Sequence, residues 1–181
     1  QPINKRFGET MRVISHKHIY ATEPRINEGY IAIPELNRIK PAARQFIDLA
    51  GLDIQLRRPT AFLFVDGFVT SQGEAGLVKP KDPVFRVAIK SGASTAAHEW
   101  IQNFKGVDNL EYVEIITSTC AAGIHAFYRA QELLDSYLVQ EVIIIGHERI
   151  TPDTVRLFRE LQIPVICGDG FAYFRVTQGH G

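Results

Sequence analysis

The chain is poor in sulfur and has no excess charge of either sign: two cysteines, one methionine and one tryptophan, with 20 lysines and arginines against 20 aspartates and glutamates. Two cysteines, Cys120 and Cys167, are too few for the disulfide framework of a small secreted domain and read better as free thiols. Balanced charge gives no overall pull toward nucleic acid or anionic lipid, so neither is an expected partner. The longest apolar runs, such as Val142 to Ile145, stop far short of the roughly 20 residues a membrane helix needs. The N-terminus, Gln1-Pro2-Ile3-Asn4-Lys5-Arg6, lacks the apolar core of a signal peptide, and the expectation is a cytoplasmic protein. There is no internal repeat, and no spacing of His, Cys and carboxylates suggests a metal site. What is present is 181 residues that are 45% hydrophobic, enough to fill the core of one domain over residues 1–181.

Periodicity alternates between strand and helix. Strands are predicted at Arg12 to Tyr20, Ala61 to Val65, Tyr112 to Ile116, Val142 to Ile145 and Phe171 to Val176, with a short lead-in at Pro164 to Cys167. Helices are predicted at Pro34 to Ala50, Ala93 to Phe104, Ala121 to Leu138 and Thr151 to Leu161. Strands separated by helical stretches of this length make crossover units, and hence an α/β fold with a mostly parallel sheet. The run Ile143-Ile144-Ile145 marks a strand buried on both faces, and Trp100 belongs with the core face of its helix. The Gly-, Lys- and Pro-bearing stretch Thr70 to Pro83 reads as a long loop that could cover a site.

The chemistry concentrates at Thr117-Ser118-Thr119-Cys120-Ala121-Ala122-Gly123, where a cysteine stands between an apolar strand and a helix. Helix N-termini carry unpaired N–H groups and about half a positive charge, which stabilises a thiolate. Cys120 is therefore a candidate nucleophile, although free cysteines are also common as inert core residues. A phosphatase-type loop would place Arg where Ala126 stands, and a hydrolase elbow would place Gly at Ser118 and Ala122. Neither pattern fits.

The stretch does resemble the nucleophile region of the thiolase superfamily, especially the beta-ketoacyl synthases, where T-x-C-A-x-G opens a long central helix. Further pieces follow in that family's order. Glu141-Val142-Ile143-Ile144-Ile145-Gly146-His147-Glu148 is similar to its strand ending in G-G-x-E, with His147 in place of the second Gly, and Cys167-Gly168-Asp169-Gly170-Phe171-Ala172 resembles its G-D-G-A-x-A. Upstream, the helix ending Ala50-Gly51-Leu52 and the strand in Thr60 to Gly67 also match, so the resemblance covers roughly residues 35 to 176. It implies a thiolase-like half: a mostly parallel, five-stranded mixed sheet with helices on both faces. It also implies acyl transfer or condensation, in which Cys120 takes an acyl group from a coenzyme A or acyl carrier protein thioester, with no permanently bound cofactor. Members pair through the strand before the nucleophile, here Glu111 to Ile116, which implies a homodimer, or a heterodimer with a second thiolase-fold half. Glu148, Asp169 and Gly170 match positions that look structural.

The sequence also departs from that family after Val176. The catalytic His pair, or His and Asn, of relatives lies in a second half of the fold, and only Thr177-Gln178-Gly179-His180-Gly181 follow Val176. Among the histidines at hand, His125 lies about 140° around the helix from Cys120 and should point away. His147 follows its strand at the carboxyl edge that presents Cys120, where open α/β sheets place their sites. It is either a general base for Cys120 or a filler of the space left by the missing Gly. Gly168 and Gly170 suit a tight turn with positive φ, and Asp66 either lines the same edge or belongs to an Asp-Gly turn. Three readings stay open: a ketosynthase-like acyltransferase completed by a second subunit, a non-catalytic binding or assembly module on the same fold, and a fragment of a longer enzyme.

Overall fold

The computed structural model describes residues 11–20, 25–27, 30–37, 40–65, 92–117 and 119–179. Their strands are β1 (Met11–Ile19), β2 (Arg25–Asn27), β3 (Tyr30–Ala32), β4 (Thr60–Val65), β5 (Leu110–Ile116), β6 (Glu141–Glu148), β7 (Cys167–Gly168) and β8 (Gly170–Gln178). The helices are α1 (Ala42–Ala50), α2 (Gly92–Gln102), α3 (Ala122–Asp135) and α4 (Pro152–Glu160). Asp66 and the loop expected at 70–83 lie outside the described residues.

Five strands form one sheet in the order β1-β8-β6-β4-β5. β4 runs parallel to both β5 and β6, while β8 is antiparallel to both β6 and β1. Four strands therefore point one way and β8 alone opposes them. This is the expected mostly parallel mixed sheet, and helices cover both of its faces. Side chains alternate across a strand. Phe62, Phe64, Ile143 and Ile145 accordingly pack with Phe46 and Ile47 of α1 and Trp100 of α2. The intervening Ala61, Leu63, Val142 and Ile144 pack with Ala122, Ala126, Ala130, Leu133 and Leu134 of α3. In α1 the buried residues are Ala43, Phe46, Ile47 and Ala50, the spacing of one helix face.

Boundaries differ from expectation where proline and glycine act. The helix expected from Pro34 begins only at Ala42, because Pro41 sits at its N-cap with extended backbone (φ −54°, ψ 134°) and disfavours a helical Lys40. It ends on Gly51, whose left-handed φ of 56° lets its N–H reach the Ile47 carbonyl. The lead-in at Pro164 to Cys167 is reduced to β7, which pairs with β3 in a second sheet of order β2-β3-β7 that periodicity does not reveal. Gly168 and Gly170 lie within β7 and β8, and the positive-φ glycines among the described residues are Gly51 and Gly106 instead. The expected tight turn is held by a side chain: buried Asp169 accepts hydrogen bonds from the backbone N–H groups of Ile33 (2.9 Å) and Ile150 (2.8 Å), joining three segments at one carboxylate.

At the amino end of the parallel strands, buried Glu141 lies 2.9 Å from the Arg175 guanidinium of β8 and 3.8 Å from that of Arg58. The pair fixes β6 against β8 at the end of the sheet away from Cys120.

Candidate active site at the carboxyl edge of the sheet

Cys120 is exposed and stands in a 3-10 turn, Thr119–Ala121, that runs directly into α3. Three features position it. Its helix follows β5, which is parallel to β4 and delivers the chain to the sheet's carboxyl edge. The buried stripe Ala122, Ala126 and Ala130 is small enough to bring the helix axis close to the strands. Arg129 of α3 then clips the helix to β5: its Nε donates to Glu114 Oε2 at 2.7 Å and its Nη1 to Glu132 at 2.8 Å. Hydrogen bonding to Glu114 raises the Arg129 pKa above its ordinary value, so the clip stays charged.

The N-cap position of α3 offers no capping side chain. Ala121 at the N-cap makes no side-chain hydrogen bond, and the first turn holds no acidic residue. No side chain of the cap competes for its leading N–H groups, which point toward the turn that carries Cys120.

A cleft of about 370 Å³ opens at the carboxyl ends of β4 and β6, and Cys120 is not among the residues that line it. Val65, Gly146 and His147 line it together with Gly123 and Phe127, which continue the Cys120 side of the helix at steps of three and seven residues. Gly146 keeps this approach close: a Cβ there would lie a tight 3.2 Å from the Cβ of Val65, its partner on β4. A larger cleft, about 670 Å³, lies between α1 and α2, lined by Arg44, Asp48 and Glu99 among others, and includes neither Cys120 nor His147.

His147 is not brought beside the thiol. Its ring sits on the α1–α2 face, stacked on Phe46 at 4.7 Å, edge-on to Phe64 at 5.1 Å and 6.5 Å from Trp100, whereas Cys120 opens the helix of the opposite face. The residue keeps some accessible surface, but its Nε2 has none and finds no hydrogen-bond partner. Burial, with a smaller contribution from the Arg149 charge, lowers its pKa to about 4, so the ring is neutral at physiological pH. The Cys120–His147 pair expected as nucleophile and base is thus not formed in this arrangement.

The remaining candidates separate clearly. His125 is exposed, as its helical position requires. Trp100 is fully buried in the core. Cys167 is free and half-buried on β7, and burial, helped by Glu148, pushes its thiol pKa up, the opposite of what a nucleophile needs. Among the described residues no group of three or more His, Cys, Asp or Glu is placed to hold a metal ion, and no helix is long and apolar enough to cross a membrane. Sequence reading missed two features: the Arg129–Glu114 clip, and the His16–His18 pair on β1, which strand alternation alone would have placed on one face.

Solved structures resemble this arrangement. The 3-oxoacyl-[acyl-carrier-protein] synthase III from Aquifex aeolicus VF5 superposes with a TM-score of 0.51 at 16% identity, over 95% of this chain and 55% of that one. The chain has a thiolase-like fold. A chain from the complex of a ketosynthase with its chain length factor, from Xenorhabdus doucetiae, superposes with a TM-score of 0.50 at 10% identity, over 95% of this chain and 80% of that one. The thiolase-like unit described here spans about half the length of the Aquifex enzyme. No protein-family model and no curated protein matches the sequence.

Proposed function

We propose that this chain is one thiolase-like half of a ketosynthase-type enzyme, in which Cys120 accepts an acyl group from a coenzyme A or acyl carrier protein thioester. The observation that carries the reading is an exposed cysteine at the start of α3, on the carboxyl edge of a thiolase-like sheet. The Cys120 thiolate attacks the thioester carbonyl carbon. The negative charge that develops on oxygen is met by N–H groups at the helix start, and collapse expels the carrier thiolate, which takes up a proton. In the condensing step a malonyl thioester loses carbon dioxide, and its carbanion attacks the acyl-enzyme and releases Cys120 as thiolate.

The second reactant needs a base or hydrogen-bond donors, and His147 faces away from the thiol. A second thiolase-fold half supplies them in this reading, from a further copy of the chain or a different subunit. Two features support such a partner. α3 presents Ile124 (67% exposed) and Tyr128 (71% exposed) away from its own sheet, and β5 is, among the described residues, one of the two edge strands, with an edge on which another chain's strand can pair. A binding or assembly module that no longer performs chemistry is the second reading, favoured by the neutral, inward-facing His147.

Intact-mass measurement after incubation with acyl-coenzyme A or an acylated carrier protein separates the two. The enzyme reading expects an acyl adduct that is absent in Cys120→Ala. A chain that acquires no adduct from either donor, and whose Cys120 is alkylated slowly at neutral pH, is a binding module.

A further inference from the structure

His16 and His18 are two residues apart on β1, so both side chains leave the same side of the strand. Both are exposed, and their ring centroids are 5.5 Å apart. Two imidazoles that share one metal ion each hold a centroid about 3.2 Å from it, given nitrogen–metal bonds of about 2.0–2.1 Å, which puts the centroids about 5 Å apart at a near-tetrahedral angle. The two ring centroids lie within about 0.5 Å of that separation.

They are also braced. Phe174 of β8, directly across from His16, stacks on it at 6.4 Å and meets His18 edge-on at 5.1 Å. Phe127 of α3 backs Phe174 at 5.1 Å. An aromatic wall limits the rotamers of both histidines, so less side-chain freedom is lost on binding an ion. Lys17, between them, points to the other face and donates its Nζ to the Ala50 carbonyl, which keeps its charge away.

We propose that His16 and His18 chelate one late first-row divalent metal ion. Two imidazole nitrogens, with no carboxylate grouped with them among the described residues, suit neither calcium nor magnesium, which take oxygen ligands. They also fall short of the four ligands of structural zinc, so the remaining positions go to water. Such a donor set follows the order in which copper(II) binds more tightly than nickel(II). The site is independent of the acyl-transfer reading.

Calorimetric titration of the whole chain with NiCl2 tests it, using wild type, His16→Ala, His18→Ala, His125→Ala and Cys120→Ser, each checked for native circular dichroism. The expected result is one ion per chain, bound about tenfold or more weakly in either β1 variant and unchanged in the other two. Unaltered affinity in His16→Ala or His18→Ala, loss of binding in Cys120→Ser, or no saturable binding by wild type overturns the site.

Discussion

On one face of the five-stranded sheet, α1 and α2 press Phe46, Ile47 and Trp100, with Phe104 just after α2, onto Phe62, Phe64, Ile143 and Ile145. On the other, α3 lays Ala122, Ala126 and Ala130 against Ala61, Leu63 and Ile144 and turns Ile124 and Tyr128 outward. Large interlocking rings create much buried area per residue and are where truncation leaves cavities. A stripe of alanines contributes less area but lets the helix that carries Cys120 sit close to the strands. The first face supplies stability; the second supplies position and leaves Ile124 and Tyr128 exposed.

The sharpest way to break that contrast is to hollow the first face. Trp100→Ala removes a fully buried side chain and is expected to cost about 3–5 kcal/mol in denaturant unfolding. A loss below about 1 kcal/mol would mean that the aromatic face is not the main source of stability.

A related test uses pH. His147 is buried among those rings with a folded pKa of about 4, below the ordinary value of 6.5. The unfolded chain takes up a proton in that interval and the folded chain does not, so stability is fully present above about pH 6.5 and falls as pH drops toward about 4. The full loss is about 3 kcal/mol, a slope close to one proton. His147→Phe should flatten this window in acid-unfolding curves; an unchanged slope places the proton uptake elsewhere.

Away from both faces, Asp169 joins the segments after β3 and β6 through two backbone N–H groups. Asp169→Ala leaves both donors without that acceptor and is expected to cost about 1–3 kcal/mol. Hydrogen exchange should quicken at Ile33 and Ile150 before it does in β4, and uniform quickening would argue against a local tie.

Much of this was legible in the chain. The unbroken apolar run Val142 to Ile145 placed the central strand, Ala50-Gly51-Leu52 placed the stop of α1, and the cysteine-bearing stretch placed the start of α3, because each depends on local backbone chemistry. The small sheet of β2, β3 and β7 was not legible, since strands of two or three residues carry no period. The orientation of His147 was hidden for a different reason. Its place at the carboxyl edge is set by sequence, but the face its ring takes follows from strand parity: Ile143, Ile145 and His147 alternate onto the aromatic side.

The smallest expected effect on stability is the most informative about function. Ile124→Ser and Tyr128→Ser alter exposed positions of α3 and should change unfolding free energy by no more than about 0.5 kcal/mol. If that surface receives a second thiolase-fold half, the same substitutions weaken association and abolish acyl transfer while Cys120 still reacts with a small alkylating agent. Light scattering reads the first effect and intact mass the other two. Substitutions that leave association and transfer intact would make α3 a finished surface, and the contrast between the two faces would then concern packing alone.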